Sequence, residues 1–278
     1  MTIPANAEVL TRTTPLGISF FDAATGLAVR SGLESTAHRP AEPRRRFPST
    51  LSASGAHWFG GIPPLAEFER GSGDDRFWAL PHPDVELRIE VKDRERRFLP
   101  FSFLANAPHR GLFSFDDAMS SPPGPLGVPL FSAPARSLPG FAGLRASMRN
   151  AADDTKPARH VLLEIRLNNR QLARGVSDDN GQLSVLFPYP APVPVFGGAS
   201  MSGMEGALRS QRWTLDVRAF YQPRPVTEYP DLEQVLEQPP ARLLQQVSLS
   251  EVNSVELRFG EEAVLKSELG SEILVSPV

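Results

Sequence analysis

Four segments of the chain alternate apolar and polar residues with a period of two, which marks strands with one face buried and one in water. Val85, Leu87, Ile89 and Val91 alternate with Glu86, Arg88 and Glu90. Val161, Leu163, Ile165 and Leu167 alternate with Glu164 and Arg166 in the same way. In 212–220, Trp213, Leu215, Val217 and Ala219 oppose Arg212, Thr214, Asp216 and Arg218, and in 254–260 Val255, Leu257 and Phe259 point inward. The pattern predicts a mainly β protein with antiparallel sheets.

Helical spacing occurs once. In "YPDLEQVLEQPPARLLQQV" (229–247), Leu232, Val235 and Leu236 follow a Pro230–Asp231 start, and Pro239–Pro240 must break the helix. Ala241–Gln246 is read as a resumed turn. The 28 prolines and 21 glycines interrupt the rest too often for long helices. Three stretches read as loops or insertions: 35–54, the Pro-rich 120–143, and a flexible Gly- and Met-rich 197–210. Residues 120–143 keep Leu126, Val128, Leu130 and Phe131, which suit a segment lying on a surface better than a solvated tether. The expected architecture is two antiparallel β-sandwich domains, 1–105 and 159–278, joined by a Pro-rich connecting segment, 106–158, with one short helix near the C-terminus.

A turn grammar recurs. "SASGAHWFGGIPP" (52–64) and "SDDNGQLSVLFPYP" (177–190) each run turn, strand and proline stop, and Gly55 to Pro64 spans as many residues as Gly181 to Pro190. Upstream of each is a strand pair, turning at Thr25–Gly26 in one and at Asn168–Asn169 in the other; Gly and Asn tolerate the positive φ of tight hairpins. This reads as a duplicated β-sandwich unit. "FDAATGLAV" (21–29) and "GAHWFGGIPP" (55–64) resemble the D-x-x-T-G-x-x-V entry and the aromatic strand of the carboxypeptidase-regulatory-like, or transthyretin-like, modules. That resemblance implies a non-catalytic module for assembly, adhesion or folding support. The order of "VELRIEVKDRERRFLPFSF" (85–103), "VPLFSAPARSLPG" (128–140), "LFPYP" (186–190) and "PDLEQVLEQPPARLL" (230–244) resembles accessory proteins of phage-tail-like contractile injection systems. It implies a structural component in the baseplate, cap or fibre region.

Charge and composition narrow the classes. A net charge of −3 gives no basic domain for nucleic acid. Arg makes up nearly all of the 29 cationic residues, the lysines being Lys92, Lys156 and Lys266. The absence of cysteine removes disulfides, zinc–thiolate sites and a Cys nucleophile. With no signal-peptide pattern and no long apolar run, the expectation is cytoplasmic synthesis without membrane insertion, with release by lysis as part of a particle.

Candidate chemistry is sparse. His38, His57, His82, His109 and His160 show no metal-helix spacing, and no G-x-S-x-G or phosphate-binding glycine loop occurs. The Asp pairs at 74–75, 116–117, 153–154 and 178–179 lack calcium-loop spacing and suit turns, where Asp side chains bond nearby amides. No catalytic residue, metal or cofactor is therefore expected. Arg44, Arg45, Arg46, Arg96 and Arg97 concentrate charge for docking to protein subunits of a larger assembly. Phe98, Phe101 and Phe103, around Pro100, are read as an exposed aromatic edge that another chain could extend. In the alternative reading, a carbohydrate- or surface-binding adhesin, Trp58 and Trp78 are stacking platforms.

Overall fold

The computed structural model describes residues 13–115, 127–192 and 210–278. The insertion 197–210, apart from its last residue, and the Asp116–Asp117 pair lie outside them, as does the first part of 120–143. The chain is mainly β, and it divides into two compact units that interleave in sequence. The first falls within Met1–Phe21, Ala28–Val91 and Ser102–Val128, the second within Asp22–Leu27, Lys92–Phe101 and Pro129–Val278.

The first half of the chain contributes β1 (Leu16–Ile18), β2 (Phe20–Asp22), β3 (Leu33–His38), β4 (Phe47–Pro48), β5 (Thr50–Leu51) and β6 (His57–Phe59). After a one-turn helix, α1 (Asp75–Trp78), come β7 (Val85–Asp93), β8 (Phe101–Ala107) and β9 (Leu112–Phe113). Two four-stranded sheets run in the orders β5-β6-β1-β9 and β4-β3-β7-β8. The alternation in β7 plays out as expected, with Val85, Leu87, Ile89 and Val91 buried. Burying each such side chain is worth roughly 1.5–3 kcal/mol. β1 pairs antiparallel with β6 but parallel with β9, so the sheet is mixed rather than purely antiparallel. α1 was not legible as a helix; Asp74 caps it by accepting the Phe77 amide.

The remaining strands are β10 (Val128–Leu130), β11 (Phe141–Asn150), β12 (Asp153–Pro157), β13 (Leu162–Leu167), β14 (Arg170–Val176), β15 (Gln182–Pro188) and β16 (Arg212–Phe220). A short helix, α2 (Leu232–Leu236), precedes β17 (Pro240–Leu244), β18 (Ser254–Arg258), β19 (Ala263–Leu265) and β20 (Glu272–Pro277). β11, β12 and β13 to β20 form one ten-stranded sheet, and it folds over so that β11 and β15 share a core with β13 and β16. β13 and β14 make the expected hairpin, Asn168 and Asn169 both holding positive φ, 51° and 65°. Gly175 lets β14 approach β15, since a Cβ there would lie 2.5 Å from Val185.

Three expectations change in this half. The segment 106–158 is not a connector: β11 carries Ala142, Leu144, Ala146 and Met148 into the sheet's core and pairs parallel with β19 and β20. Helix α2 forms, capped by Asp231, but after Pro239 the chain continues as β17 rather than as another helical turn. Pairing with β16 and β20 satisfies the amides that a resumed helix would have used. The Asp22–Leu27 turn and the 92–101 hairpin belong to the second unit, although the sequence places both within 1–105.

Candidate functional site

The D-x-x-T-G turn is built by its own side chains. Asp22 Oδ1 accepts the Ala24 amide at 2.9 Å, Oδ2 accepts the Thr25 hydroxyl at 3.0 Å, and Gly26 takes the positive φ that closes the turn. Arg136 then donates to both Asp22 carboxylate oxygens, at 3.0 and 2.6 Å, and to Ser132 Oγ at 3.0 Å. Asp22 is buried and the Arg136 side chain is 11% exposed. Burial pushes the Asp22 carboxyl up, but the Arg136 guanidinium, the Ala24 amide and the Thr25 hydroxyl outweigh it and hold the group below its ordinary 3.8.

The same guanidinium lies 4.5 Å from the centre of the Phe98 ring, and Arg97 lies 5.3 Å from it. Arg97 is in turn paired with the buried Asp93, at 3.0 Å. The 92–101 hairpin adds alongside 131–133, with the Leu99 amide donating to Phe131 and the Ala133 amide to Arg97. Among the docking residues, then, Arg97 and Phe98 are committed internally. Phe98, Phe101 and Phe103 are buried, at 5%, 4% and 0% exposure, so the expected exposed aromatic edge is corrected. Their apolar run reflects burial. Arg96 is exposed at the hairpin turn with φ 55°.

Arg44, Arg45 and Arg46 are exposed, on a loop of the first unit. The loop holds an internal Arg39–Glu42 pair at 2.7 Å and is tied to β7 by Arg46 to Glu90 at 2.7 Å, with Ala37 and Phe47 paired at its base. Arg45 sits 5.6 Å from the Phe47 ring centre, and among the described residues Arg44 has no ion-pair partner. Trp58 is half-buried, its ring over Gly60. Trp78 is half-buried within a ring cluster, 5.1 Å edge-on from Phe68 and 6.0 Å from His82. Both indoles are thus packed within the first unit rather than standing free as platforms.

The second unit also carries a cavity of about 60 Å³. Leu99, Phe101, Phe131, Val176, Leu232 and Val235 make most of it apolar, and His160, Asp178 and Asp179 supply its polar edge. His160, with φ 55°, is held by its amide on Ser177, by its carbonyl accepting from Gln238, and by Nε2 at 3.2 Å from Asp179. Asp178 accepts the Asn180 and Gln182 amides, the turn role expected of it. The lining offers no hydroxyl, thiol or amine; chemically it can hold an apolar group beside an imidazole and two carboxylates. No local pattern pairs His160 with Asp179, because 18 residues of chain and a hairpin lie between them. Among the described residues, no group of three or more His, Cys, Asp or Glu could hold a metal ion, and no helix is long and apolar enough to cross a membrane.

Burial holds His160 below the imidazole value of 6.5, the Arg224 and Arg159 charges adding to it and Asp179 opposing. Burial does the same for His57, which shares a 2.8 Å hydrogen bond with Ser49. A folded value below the unfolded one means that protons favour the unfolded chain. Stability from both groups is therefore complete above pH 6.5 and is lost as pH falls below it. Urea unfolding at pH 7.5 and pH 5 should show this loss, and His57→Gln and His160→Gln should each flatten the profile; a wild-type midpoint unchanged across that range would contradict it.

No family model matches the chain, and no curated protein matches it. Among solved structures it is similar to the Bacillus anthracis TIE protein, with a TM-score of 0.26 and 8% identity. The match covers 95% of this chain and 34% of that one, so the chain spans about a third of that protein's length.

Proposed function

We propose that the chain is a non-enzymatic structural subunit of a phage-tail-like contractile injection particle, and that it acts by binding neighbouring protein subunits. The observation that carries the reading is the 39–47 loop. Its base is fixed by the β3–β4 pairing of Ala37 with Phe47 and by the Arg46–Glu90 ion pair, while Arg44 and Arg45 stay exposed on it. A guanidinium held in place loses less freedom on pairing with a carboxylate, and exposed like charges steer an acidic partner into register. The buried carboxylates give further support: Asp22, paired with Arg136, and Asp93, paired with Arg97, are spent on fixing turns, a scaffold's use of ion pairs.

The test is purification of a tagged full chain from its native host, with the co-eluting proteins identified by mass spectrometry. Sheath, tube or baseplate proteins are expected in the eluate at low salt. Arg44→Glu with Arg45→Glu should slow association about tenfold at low ionic strength and leave folding unchanged, since both side chains are exposed. Elution of the wild-type chain alone would overturn the reading.

A further inference from the structure

We propose that the cavity beside His160 binds a small neutral alcohol, whose hydroxyl donates to His160 Nδ1 and whose short aliphatic body lies against Val176, Leu232 and Val235. The site is independent of the subunit reading and of the arginine loop, since all of its residues belong to the second unit.

The polar atoms on the cavity wall leave one acceptor unused. Asp178 accepts the Asn180 and Gln182 amides, and the Asp179 carboxylate lies 3.2 Å from His160 Nε2. A carboxylate only accepts, so it selects the tautomer with the ring proton on Nε2. Nδ1 then presents a bare lone pair, and it has no partner among the described residues. Burial and the charges of Arg159 and Arg224 keep the ring neutral at pH 7.5, so the lone pair stays available. His160 is only 6% exposed. An acceptor buried to that degree and left unpaired is costly, and a donor carried in by a ligand recovers the loss.

The ring is also held in place. His160 keeps its left-handed φ of 55° because its amide donates to Ser177 and its carbonyl accepts from Gln238 Nε2 at 2.8 Å. The same nitrogen donates to the Val235 carbonyl at 3.0 Å, and Gln238 Oε1 accepts the Gln222 amide at 2.9 Å. One buried glutamine thus ties two walls of the cavity to each other and to a third segment. A site formed in advance loses little freedom when it binds. Backbone strain kept at a cavity's unpaired polar side chain is a feature of binding sites.

The lining selects the ligand. A charged group would lose its hydration among Leu99, Phe101 and Phe131 without gaining a matching partner. A ketone or amide brings a carbonyl, for which the wall has no free side-chain donor. An alcohol supplies the one donor that Nδ1 lacks and carries no charge. At about 60 Å³ the cavity is well under the roughly 150 Å³ of an apolar cavity that holds benzene, so the body is a few aliphatic carbons rather than a ring.

2-Propanol and acetone are alike in shape and differ in the donor, which makes them the probes. In long-range ¹H–¹⁵N spectra of the full chain at pH 7.5, the His160 ring is assigned by its loss in His160→Asn, asparagine tolerating the left-handed backbone. The ring proton is expected on Nε2. 2-Propanol should shift Nδ1 and the Val235 methyls together and saturably, while acetone at the same concentrations should leave Nδ1 unmoved. Val235→Leu adds a methylene to the wall and should weaken the alcohol about tenfold or more, with the proton still on Nε2. A proton on Nδ1, equal shifts from the two probes, or shifts that rise linearly without saturation would overturn the proposal. So would a shift at Nδ1 with none at Val235, or an affinity unchanged in Val235→Leu, since either places the alcohol outside the cavity.

Discussion

Arg136→Ala is expected to destabilise the second unit by about 3–5 kcal/mol, the largest effect of any single side chain described above. The substitution leaves the Asp22 carboxylate, 4% exposed, without its cation. It also removes the guanidinium from the Phe98 ring and the donor from Ser132. Little water can enter to replace them, which is why removing one partner costs more than the pair itself is worth. Asp22→Leu combined with Arg136→Met should therefore recover much of the loss, because no buried charge is then stranded. The pH dependence follows the same logic. In the wild-type chain the Asp22 contribution is complete above the unfolded value of 3.8 and lost as pH falls below it. Without Arg136, only the Ala24 amide and the Thr25 hydroxyl oppose burial and the carboxyl's folded value rises, so the variant should lose less on acidification and its deficit against the wild type should narrow as pH falls through the carboxylate range. Chemical denaturation of both variants measures this; a cost under about 1 kcal/mol for Arg136→Ala would mean that the pair is solvated.

Gly181→Ala should cost about 2–5 kcal/mol, from two terms that add. Gly181 has φ 73°, where an L side chain is strained by about 1–2 kcal/mol. A Cβ there would also sit 2.2 Å from the Met148 carbonyl oxygen. That atom is backbone in β11 and cannot swing aside, so the clash adds about 1–3 kcal/mol. The Gly181 carbonyl accepts the Met148 amide, hence any shift also loosens β11 against β15. Gly26→Ala, at φ 69° with open space around it, should pay only the first term. Equal costs at the two glycines would contradict the packing argument.

Strands with large aliphatic residues on one face were legible, because period two with Val, Leu and Ile has no competing reading. β7, β13, β16 and β18 are of this kind. The Asn168–Asn169 hairpin was legible because those side chains tolerate the positive φ it needs. β11 was missed for the converse reason. Its inward residues, Ala142, Leu144, Ala146 and Met148, alternate with Gly143, Arg145, Ser147 and Arg149, but small side chains give weak contrast amid prolines. Parallel pairings of β11 with β19 and β20 depend on residues more than 100 positions away, which no local pattern carries.

The candidate sites divide along the same line. Arg44, Arg45 and Arg46 read as exposed because a polar, proline-punctuated loop has nowhere to bury them, and they are exposed. Phe98, Phe101 and Phe103 read as an edge because the hairpin's partner, 131–133, lies some 30 residues on in a stretch resembling a loop. Arg136 carries no local sign of its pairing with Asp22, 114 residues away. His160 and its apolar surroundings come together only when β13, β14 and α2 meet.

Whether the chain is a particle subunit is tested by immunogold labelling of sheathed particles, purified on a density gradient from a host that produces a tagged copy of it. Gold is expected at one fixed position on intact particles, with the chain sedimenting in the particle fraction. Particles that assemble and sediment unlabelled, with the chain left at the top of the gradient as a monomer, would contradict it.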